Sequence, residues 1–196
     1  MDPRTLDFYQ TRGEEWAASH TLIRQSPWLD AFLDRLPPGA AILELGCGDG
    51  RDAERMIARG FDAHPSDGSP HMAALAGARL GREVPVMEFW QLEDVDRYDA
   101  AWCQASLLHA AEDELPGILV RIHRALRPGG LFWASFKGGT GEGRDEFGRF
   151  FSYLPADRLE AAYRVAAPWA ELSPVTREGS SFGGQAIPWH EVTARK

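Results

Sequence analysis

The chain has 196 residues, which is enough for one domain with its own hydrophobic core. Its 29 acidic residues outnumber its 21 basic residues, and the formal net charge of -8 argues against nucleic-acid phosphates as the main partner. No apolar run reaches the length of a membrane span, and residues 1–10 lack the apolar segment of a signal peptide. Cys47 and Cys103 lie in apolar stretches that favour free thiols, so we expect a cytoplasmic protein with no membrane partner.

Hydrophobic periodicity predicts helices that alternate with short apolar strands along the chain. The expected helices cover residues 3–20, 27–36, 51–59, 70–80, 115–126 and 155–163. The expected strands cover residues 40–45, 61–66, 84–89, 98–103, 131–136, 170–176 and 186–194. The second of these strands is the weaker candidate, because Pro65 removes a hydrogen-bond donor from its ladder.

This alternation predicts an α/β fold of the doubly wound, Rossmann-like class, with a mostly parallel sheet of seven strands. No linker divides the chain, so we expect one domain over residues 1–196. Within it we expect an N-terminal helical lid at 1–38, a cofactor-binding core at 39–137, and a substrate loop with the last strands at 138–196. The glycine-rich, charged loop at 138–149 is expected to close over the site.

The strongest local signal is a glycine-rich turn between the first strand and the helix that follows it. The turn reads Glu44-Leu45-Gly46-Cys47-Gly48-Asp49-Gly50, and its glycines allow a tight bend and a close approach of a ligand to the backbone. Asp67 ends the next strand, where a carboxylate can accept both ribose hydroxyl protons. Turn and carboxylate together predict an adenosine-type ligand.

The charge of the turn distinguishes between two kinds of adenosine ligand. A pyrophosphate needs a third glycine inside the helix, and this chain has Arg51-Asp52 after its last glycine instead. Glu44, at the strand end, would repel a pyrophosphate but suits an ammonium group and a sulfonium. S-adenosylmethionine has both groups, so we expect it as the cofactor and S-adenosylhomocysteine as its product.

These motifs resemble those of the class I S-adenosylmethionine-dependent methyltransferases, especially small bacterial members that act on small molecules and include tellurite-resistance-type enzymes. The similar segments are residues 42–50 (first motif), 67–70 (second motif), 98–102 with 107–109 (fourth strand and its sequel) and 126–130 (the turn before strand five). The resemblance spans residues 42–136. It implies a seven-stranded sheet whose last two strands form an antiparallel edge, and transfer of a methyl group to a small-molecule acceptor.

The turn and the resemblance together indicate the residues around the cofactor. Many family members carry an acidic residue near the adenine after strand three, where this chain has Trp90-Gln91-Leu92. The carbonyl oxygen of Gln91 can accept from the adenine amine there. The expected cofactor-binding residues are Glu44, Gly46, Cys47, Gly48, Gly50, Asp67, Gly68, Trp90, Gln91, Leu92 and Gln104, with Tyr9 and Trp16 from the lid.

Methyl transfer from a sulfonium is an in-line displacement, which needs a general base only when the nucleophile carries a proton. The sequence therefore identifies candidates near strands four and five and no fixed catalytic group. The candidates are His109, Lys137, Arg144, Arg149 and Tyr153. The three cations suggest an anionic or carboxylate-bearing acceptor, and charge reversal at Arg144 and Arg149 is then expected to raise the KM.

Other interpretations stay open on the sequence alone. The chain could be a non-catalytic domain that binds S-adenosylmethionine, or an NAD-dependent oxidoreductase, which Glu44 and the missing third glycine disfavour. The candidate cations are as compatible with solvated loop charges, and Tyr9 and Trp16 with core packing. His64 and His71 form no convincing ligand set, so no metal is expected. A monomer and a homodimer are equally compatible with the sequence.

Overall fold

The computed structural model describes residues 1–20, 27–180, 184 and 186–196; residues 21–26 of the expected lid, 181–183 and 185 lie outside the described residues. The helices are α1 (Pro3–His20), α2 (Pro27–Leu33), α3 (Arg51–Ala58), α4 (Pro70–Leu80), α5 (Leu115–Ala125) and α6 (Ala156–Ala166). The strands are β1 (Ala41–Leu45), β2 (Asp62–Ser66), β3 (Tyr98–Cys103), β4 (Leu126–Lys137), β5 (Glu142–Arg144), β6 (Phe150–Ser152), β7 (Glu171–Ser180) and β8 (Ala186–Arg195). Two single-turn 3-10 helices cover Phe89–Gln91 and Leu107–His109.

Six strands form the main sheet in the order β2-β1-β3-β4-β8-β7. β1, β2, β3 and β4 run parallel, and β8 is antiparallel to both β4 and β7. The Rossmann-like α/β fold with an antiparallel C-terminal edge is therefore confirmed. Because the chain leaves β1 toward β2 on one side and returns to β3 on the other, the crevice beyond the carboxyl ends of β1 and β3 is the switch point where such folds bind ligands.

The expected strand at residues 84–89 is wrong, which reduces the sheet from seven strands to six. Only Val86 bridges to the main sheet, opposite Asp67. Two backbone hydrogen bonds hold the bridge, from Asp67 N to Pro85 O (3.2 Å) and from Met87 N to Asp67 O (2.9 Å). Pro85 has no N–H to donate and the chain then turns into a 3-10 helix, so the pairing stops after one bridge.

The weaker strand candidate does form, as β2, in spite of its proline. Asp62 donates to Ala40 O and Ser66 O accepts from Gly46, so the even-numbered residues supply the bonds to the β1 side. Pro65 therefore faces the outer edge of the sheet, where a missing donor costs little.

An aromatic pair on the central strands is buried. Trp102 stacks on Trp133 with ring centroids 4.0 Å apart, and its Nε1 donates to Asp52 at the start of α3 (2.8 Å). This packing ties α3 to the sheet directly behind the glycine turn.

Two segments near the switch point differ from their expected form. The loop expected at residues 138–149 contains β5, which pairs with β6 as a separate antiparallel hairpin. The β7–β8 hairpin is longer than expected and continues past the last β4 pair, Lys137 with Trp189. Both hairpins therefore lie beside the carboxyl end of β4.

Helix α1 packs across the carboxyl ends of the strands. The Thr5 hydroxyl accepts from Phe150 N (2.7 Å), and Asp2 forms a bidentate ion pair with Arg144 (2.7 and 2.8 Å). The helix is kinked at Arg12, where φ is -124° and ψ is 15°. Of the helices that the structure describes, none is both long and apolar enough to cross a membrane.

Candidate cofactor and acceptor site

The glycine turn after β1 is bent so tightly that side chains do not fit along it. Gly46, Gly48 and Gly50 have φ values of +76°, +59° and +80°, which only glycine adopts readily. A Cβ on Gly46 would lie 2.5 Å from Ser106 Cβ, and one on Gly50 would lie 3.0 Å from Ala76 Cβ. The turn thus exposes bare backbone to the crevice.

Asp67 is buried beside this turn, at the end of β2. Its Oδ2 accepts from Gly48 N (2.9 Å) and its Oδ1 from Ser69 N (2.8 Å). Burial raises the pKa of Asp67 to about 6, and the two backbone N–H groups oppose that rise. Each carboxylate oxygen can accept two hydrogen bonds and here accepts one, so each retains a lone pair for a further donor.

Two buried acceptors at the same crevice have no hydrogen-bond partner in the part of the chain that the structure describes. They are Glu44 Oε2, at the end of β1, and Gln104 Oε1, directly after β3. Burial, followed by the neighbouring Asp52 and Asp67 charges, raises the pKa of Glu44 well above its usual range. A buried acceptor without a donor costs free energy, and a cationic or N–H-bearing ligand removes that cost. The site therefore fits the ammonium group that the sequence predicts.

A cavity of about 310 Å³ is lined by Gly68, which follows Asp67 in the chain, and by His109. Glu88 lines it together with Trp90, and the Glu88 carboxylate accepts from Trp90 Nε1 (3.2 Å) and from the amino group of Met1. Glu88 is an acidic residue that was not singled out from the sequence, because the adenine contact was expected two residues later, from Trp90 onward. The sequence does contain the signal: Glu88 is the first residue after the bridged segment at residues 85–87.

The other two residues expected near the adenine do not line this cavity. Gln91 is exposed and its Oε1 accepts from Glu88 N (2.8 Å), so its carbonyl oxygen already has a donor. Leu92 is buried in the core, and its backbone carbonyl accepts from Arg121 and Arg124. Of the three candidates, Trp90 is the one that lines the cavity.

The lid residues lie over the glycine turn. A Cβ on Gly48 would be 3.3 Å from Trp16 Cζ3, and the Trp16 ring meets the Tyr9 ring edge-on at 5.7 Å. The Tyr9 hydroxyl lies 3.1 Å from His109 Nε2 and accepts from Arg149 Nη1 (3.4 Å). The structure thus brings the two lid residues and two of the acceptor candidates to one chamber.

A comparison with known proteins agrees with this geometry. Residues 42–130 match a model described as a methyltransferase domain. Over these residues the chain is similar to methyltransferase domains. It is 30% identical over 141 residues to a trans-aconitate 2-methyltransferase of Variovorax paradoxus, covering 69% of this chain and 49% of that protein. It is 27% identical over 150 residues to a ubiquinone biosynthesis O-methyltransferase of Acinetobacter baylyi, covering 66% and 60%.

The chain therefore spans about half to three-fifths of these curated relatives. Among solved structures, it matches a Burkholderia thailandensis 1,6-didemethyltoxoflavin-N1-methyltransferase with its acceptor and S-adenosylhomocysteine bound. The TM-score is 0.70, at 22% identity over 98% of this chain and 90% of that one. At this identity the likeness shows the fold of the methyltransferase domain.

The acceptor candidates of the methyltransferase domain differ sharply in their surroundings. Arg144 is exposed and bound to Asp2, whereas Arg149 is buried and pairs with Asp145 through two nitrogens (2.7 and 2.9 Å). The Lys137 side chain is buried, and its ammonium forms no hydrogen bond or ion pair with any residue that the structure describes. Its Nζ lies 3.7 Å from the centre of the Phe151 ring.

Burial, together with Arg149, lowers the pKa of Lys137 to about 8, which leaves the amine mostly protonated at neutral pH. A buried ammonium without a counter-ion is costly unless a ligand supplies one. Tyr153 is partly buried, and its ring lies against Phe151 (5.6 Å). Cys47 is buried, and burial raises the pKa of its thiol, so it is a poor nucleophile.

Proposed function

We propose that this methyltransferase domain transfers a methyl group from S-adenosylmethionine to a small-molecule acceptor that carries an anionic group. The observation that carries the proposal is the pair of buried carboxylates, Glu44 and Asp67, on the two sides of the glycine turn. A cofactor with an ammonium group, a sulfonium and a ribose supplies a partner to each. A pyrophosphate would instead bring negative charge to Glu44, which disfavours an NAD-dependent oxidoreductase.

The residues around the crevice have separate tasks in binding the cofactor. Asp67 accepts from the ribose hydroxyls through the lone pairs that its backbone bonds leave. Glu44 Oε2 and Gln104 Oε1 accept from the ammonium group. Glu88 accepts from the adenine amine at the cavity beyond Gly68. When bound, the cofactor supplies a methyl group that its sulfonium already activates.

The remaining residues act on the acceptor. Trp16 covers the glycine turn and excludes water, which would otherwise compete for the reaction. Lys137 holds the anionic group of the acceptor, since its buried ammonium forms no ion pair within the described chain and Asp145 attracts it without contact. Positioning of this kind is what an in-line displacement mainly requires.

Several independent features support this class of substrate. One relative is named for trans-aconitate, a carboxylate, and a solved neighbour holds a small-molecule acceptor with S-adenosylhomocysteine. The motifs shared with tellurite-resistance-type members also favour small molecules.

Both cysteines, Cys47 and Cys103, are free and buried, which supports a reducing, cytoplasmic setting.

Thermal-shift titration tests the cofactor assignment. We expect S-adenosylhomocysteine to raise the Tm, since a ligand at one hundred times its Kd stabilises a protein by about 2.7 kcal/mol. NAD at the same concentration is expected to leave the Tm unchanged. Stabilisation by NAD alone would refute the proposal.

Transfer of labelled methyl groups tests the reaction. We expect methylation of carboxylate-bearing acceptors and none of their neutral amides, and we expect Lys137→Met to abolish that preference. Arg158→Met is the matched control, because Arg158 is exposed and pairs with Glu112 on the protein surface. Cofactor binding without transfer to any acceptor would indicate a non-catalytic domain.

A further inference from the structure

His109 presents an unprotonated nitrogen to the acceptor chamber. Its Nδ1 lies 2.6 Å from the carbonyl oxygen of Phe150, which can only accept, so Nδ1 carries the hydrogen. The neutral ring then has a lone pair on Nε2, and this atom faces the Tyr9 hydroxyl at 3.1 Å. His109 is buried, so its ring is held in this orientation. The geometry is that of a hydrogen-bond acceptor aimed at a hydroxyl.

The hydroxyl that His109 meets is a phenol supplied by the lid. Tyr9 donates to Nε2 and accepts from Arg149, while its ring packs edge-on against Phe8 (5.3 Å) and Trp16 (5.7 Å). The negative charge of Asp67 reaches Tyr9 and helps to raise the pKa of its hydroxyl, after the larger effect of burial. A phenol therefore already meets the imidazole, at a place that the charge of the ribose-binding carboxylate also reaches.

The helix that carries Tyr9 has a natural place to bend. Its only non-helical backbone within α1 is at Arg12, three residues after Tyr9, so the first turns can move apart from the rest. Several contacts hold those turns down, among them Asp2 with Arg144, Thr5 with Phe150, and the amino group of Met1 with Glu88. None of these contacts involves the hydrogen bonds of Asp67, so displacement of the phenol leaves the ribose carboxylate in place.

We propose that Tyr9 occupies the place of the acceptor's own hydroxyl, and that the acceptor is a hydroxyaryl carboxylate whose hydroxyl binds His109 Nε2 while its carboxylate binds Lys137. His109 is then the catalytic base, and O-methylation is the reaction. This inference rests on the proposed function and specifies its substrate class. Phe151 joins the two ends of the subsite, with Lys137 Nζ at 3.7 Å from its ring centre and the His109 ring centre at 4.5 Å.

The step balances without any further reagent. The hydroxyl oxygen forms a bond to the methyl carbon as the carbon–sulfur bond breaks, and the sulfonium becomes a neutral thioether. The hydroxyl proton moves to His109 Nε2 and is released to solvent when the products leave. Arg149, which donates to the oxygen at this position, stabilises the charge that develops there.

The charges around His109 make this base dependent on the acceptor's anion. Burial is the main cause that lowers the pKa of His109 to about 3; the hydrogen bond to Phe150 opposes it, Arg149 and Lys137 add to it, and Asp145 opposes them. A carboxylate bound to Lys137 offsets that cation and strengthens the base. A neutral phenol leaves the positive charge of Lys137 without a counter-ion, so His109 stays a weaker base. We therefore expect such a phenol to be a poor acceptor in turnover as well as in binding.

Calorimetry on the full chain saturated with S-adenosylhomocysteine tests the subsite. The probes are 2-, 3- and 4-hydroxybenzoate, with benzoate and phenol as the two half-ligands. We expect one hydroxybenzoate isomer to bind about tenfold more tightly than either half-ligand, the range that one buried hydrogen bond supplies. Binding of all three isomers no more tightly than benzoate would overturn the inference.

Variants separate the hydroxyl contact from general damage. Tyr9→Phe removes the competing hydroxyl, so we expect severalfold tighter binding of that isomer and unchanged binding of benzoate. His109→Asn keeps the donor to Phe150 but deletes the Nε2 acceptor, so the isomer should bind only as well as benzoate. His64→Gln, on the surface beside Asp62, is the control and should change neither. Equal effects on hydroxybenzoate and benzoate would overturn the assignment.

The product settles which atom accepts the methyl group. With labelled S-adenosylmethionine, we expect the label on the hydroxyl oxygen, and label on the carboxylate would overturn the inference. If S-adenosylhomocysteine itself gives no heat, the proposed function fails. If it binds while the hydroxybenzoates do not, only the substrate assignment fails.

Discussion

Lys137→Met is expected to stabilise the fold while it removes the anion site. Burial and Arg149 lower the pKa of Lys137 from 10.5 to about 8. At about 1.4 kcal/mol per pKa unit, the buried charge costs the folded state about 3 kcal/mol at pH 7. Its contact with the Phe151 ring offsets about 0.5–2 kcal/mol of that cost. Methionine fills a similar volume without the charge, so we expect a net gain of about 1–3 kcal/mol.

The pH dependence of this gain is a signature of the buried amine. The unfolded lysine stays protonated up to about pH 10.5 and the folded one only to about pH 8. The destabilisation is therefore complete below pH 8 and disappears as the pH rises from about 8 to about 10.5. Urea unfolding of both proteins at pH 7 and pH 10 measures this. Arg158→Met, on the surface, should change stability by less than about 0.5 kcal/mol. A Lys137→Met protein less stable than wild type at pH 7, or a difference independent of pH, would refute the reasoning.

Two further changes test the turn and the lid. Gly46→Ala is expected to lower the free energy of unfolding by about 2–4 kcal/mol, because alanine is strained at a positive φ and its Cβ would meet Ser106. Gly60→Ala, with a similar φ and open space around it, should lower it by about 1–2 kcal/mol. Equal losses in urea unfolding would show that the Ser106 contact does not matter. Arg144→Ala should leave stability nearly unchanged but speed limited proteolysis at the start of α1 severalfold, because it releases Asp2. Unchanged cleavage would show that the ion pair does not hold the lid.

The alternation of helices and strands could be predicted because it follows from the local spacing of hydrophobic residues. The predicted strand at residues 84–89 was wrong because a strand also needs a partner strand, which no local pattern reveals. Pro85 lacks a donor and Val86 is exposed, so this segment forms one bridge, to Asp67. The short β5–β6 hairpin was missed for the same reason. Three-residue strands have little propensity of their own, and their pairing depends on the hydrogen bond from Phe150 to the Thr5 hydroxyl in α1.

The cofactor side of the site was more predictable than the acceptor side. Glu44 and Asp67 follow buried strands in a fixed order, so their positions at the crevice follow from topology. The three candidate cations look alike in the sequence, yet Arg144 reaches Asp2 from 142 residues away while Lys137 reaches no carboxylate in the described chain. Which cation stays free depends on tertiary contacts that the sequence does not reveal.

We propose that the buried Asp67 holds the ribose of an S-adenosyl cofactor. Isothermal titration of S-adenosylhomocysteine into wild type, Asp67→Asn and Asp62→Asn tests it most directly. Asp67→Asn removes the negative charge that strengthens the hydrogen bonds to the ribose, so we expect the Kd to rise about 10- to 100-fold. Asp62 is exposed beside His64, so Asp62→Asn should leave the Kd unchanged. An unchanged Kd for Asp67→Asn, or no heat from the wild-type protein, would contradict the account.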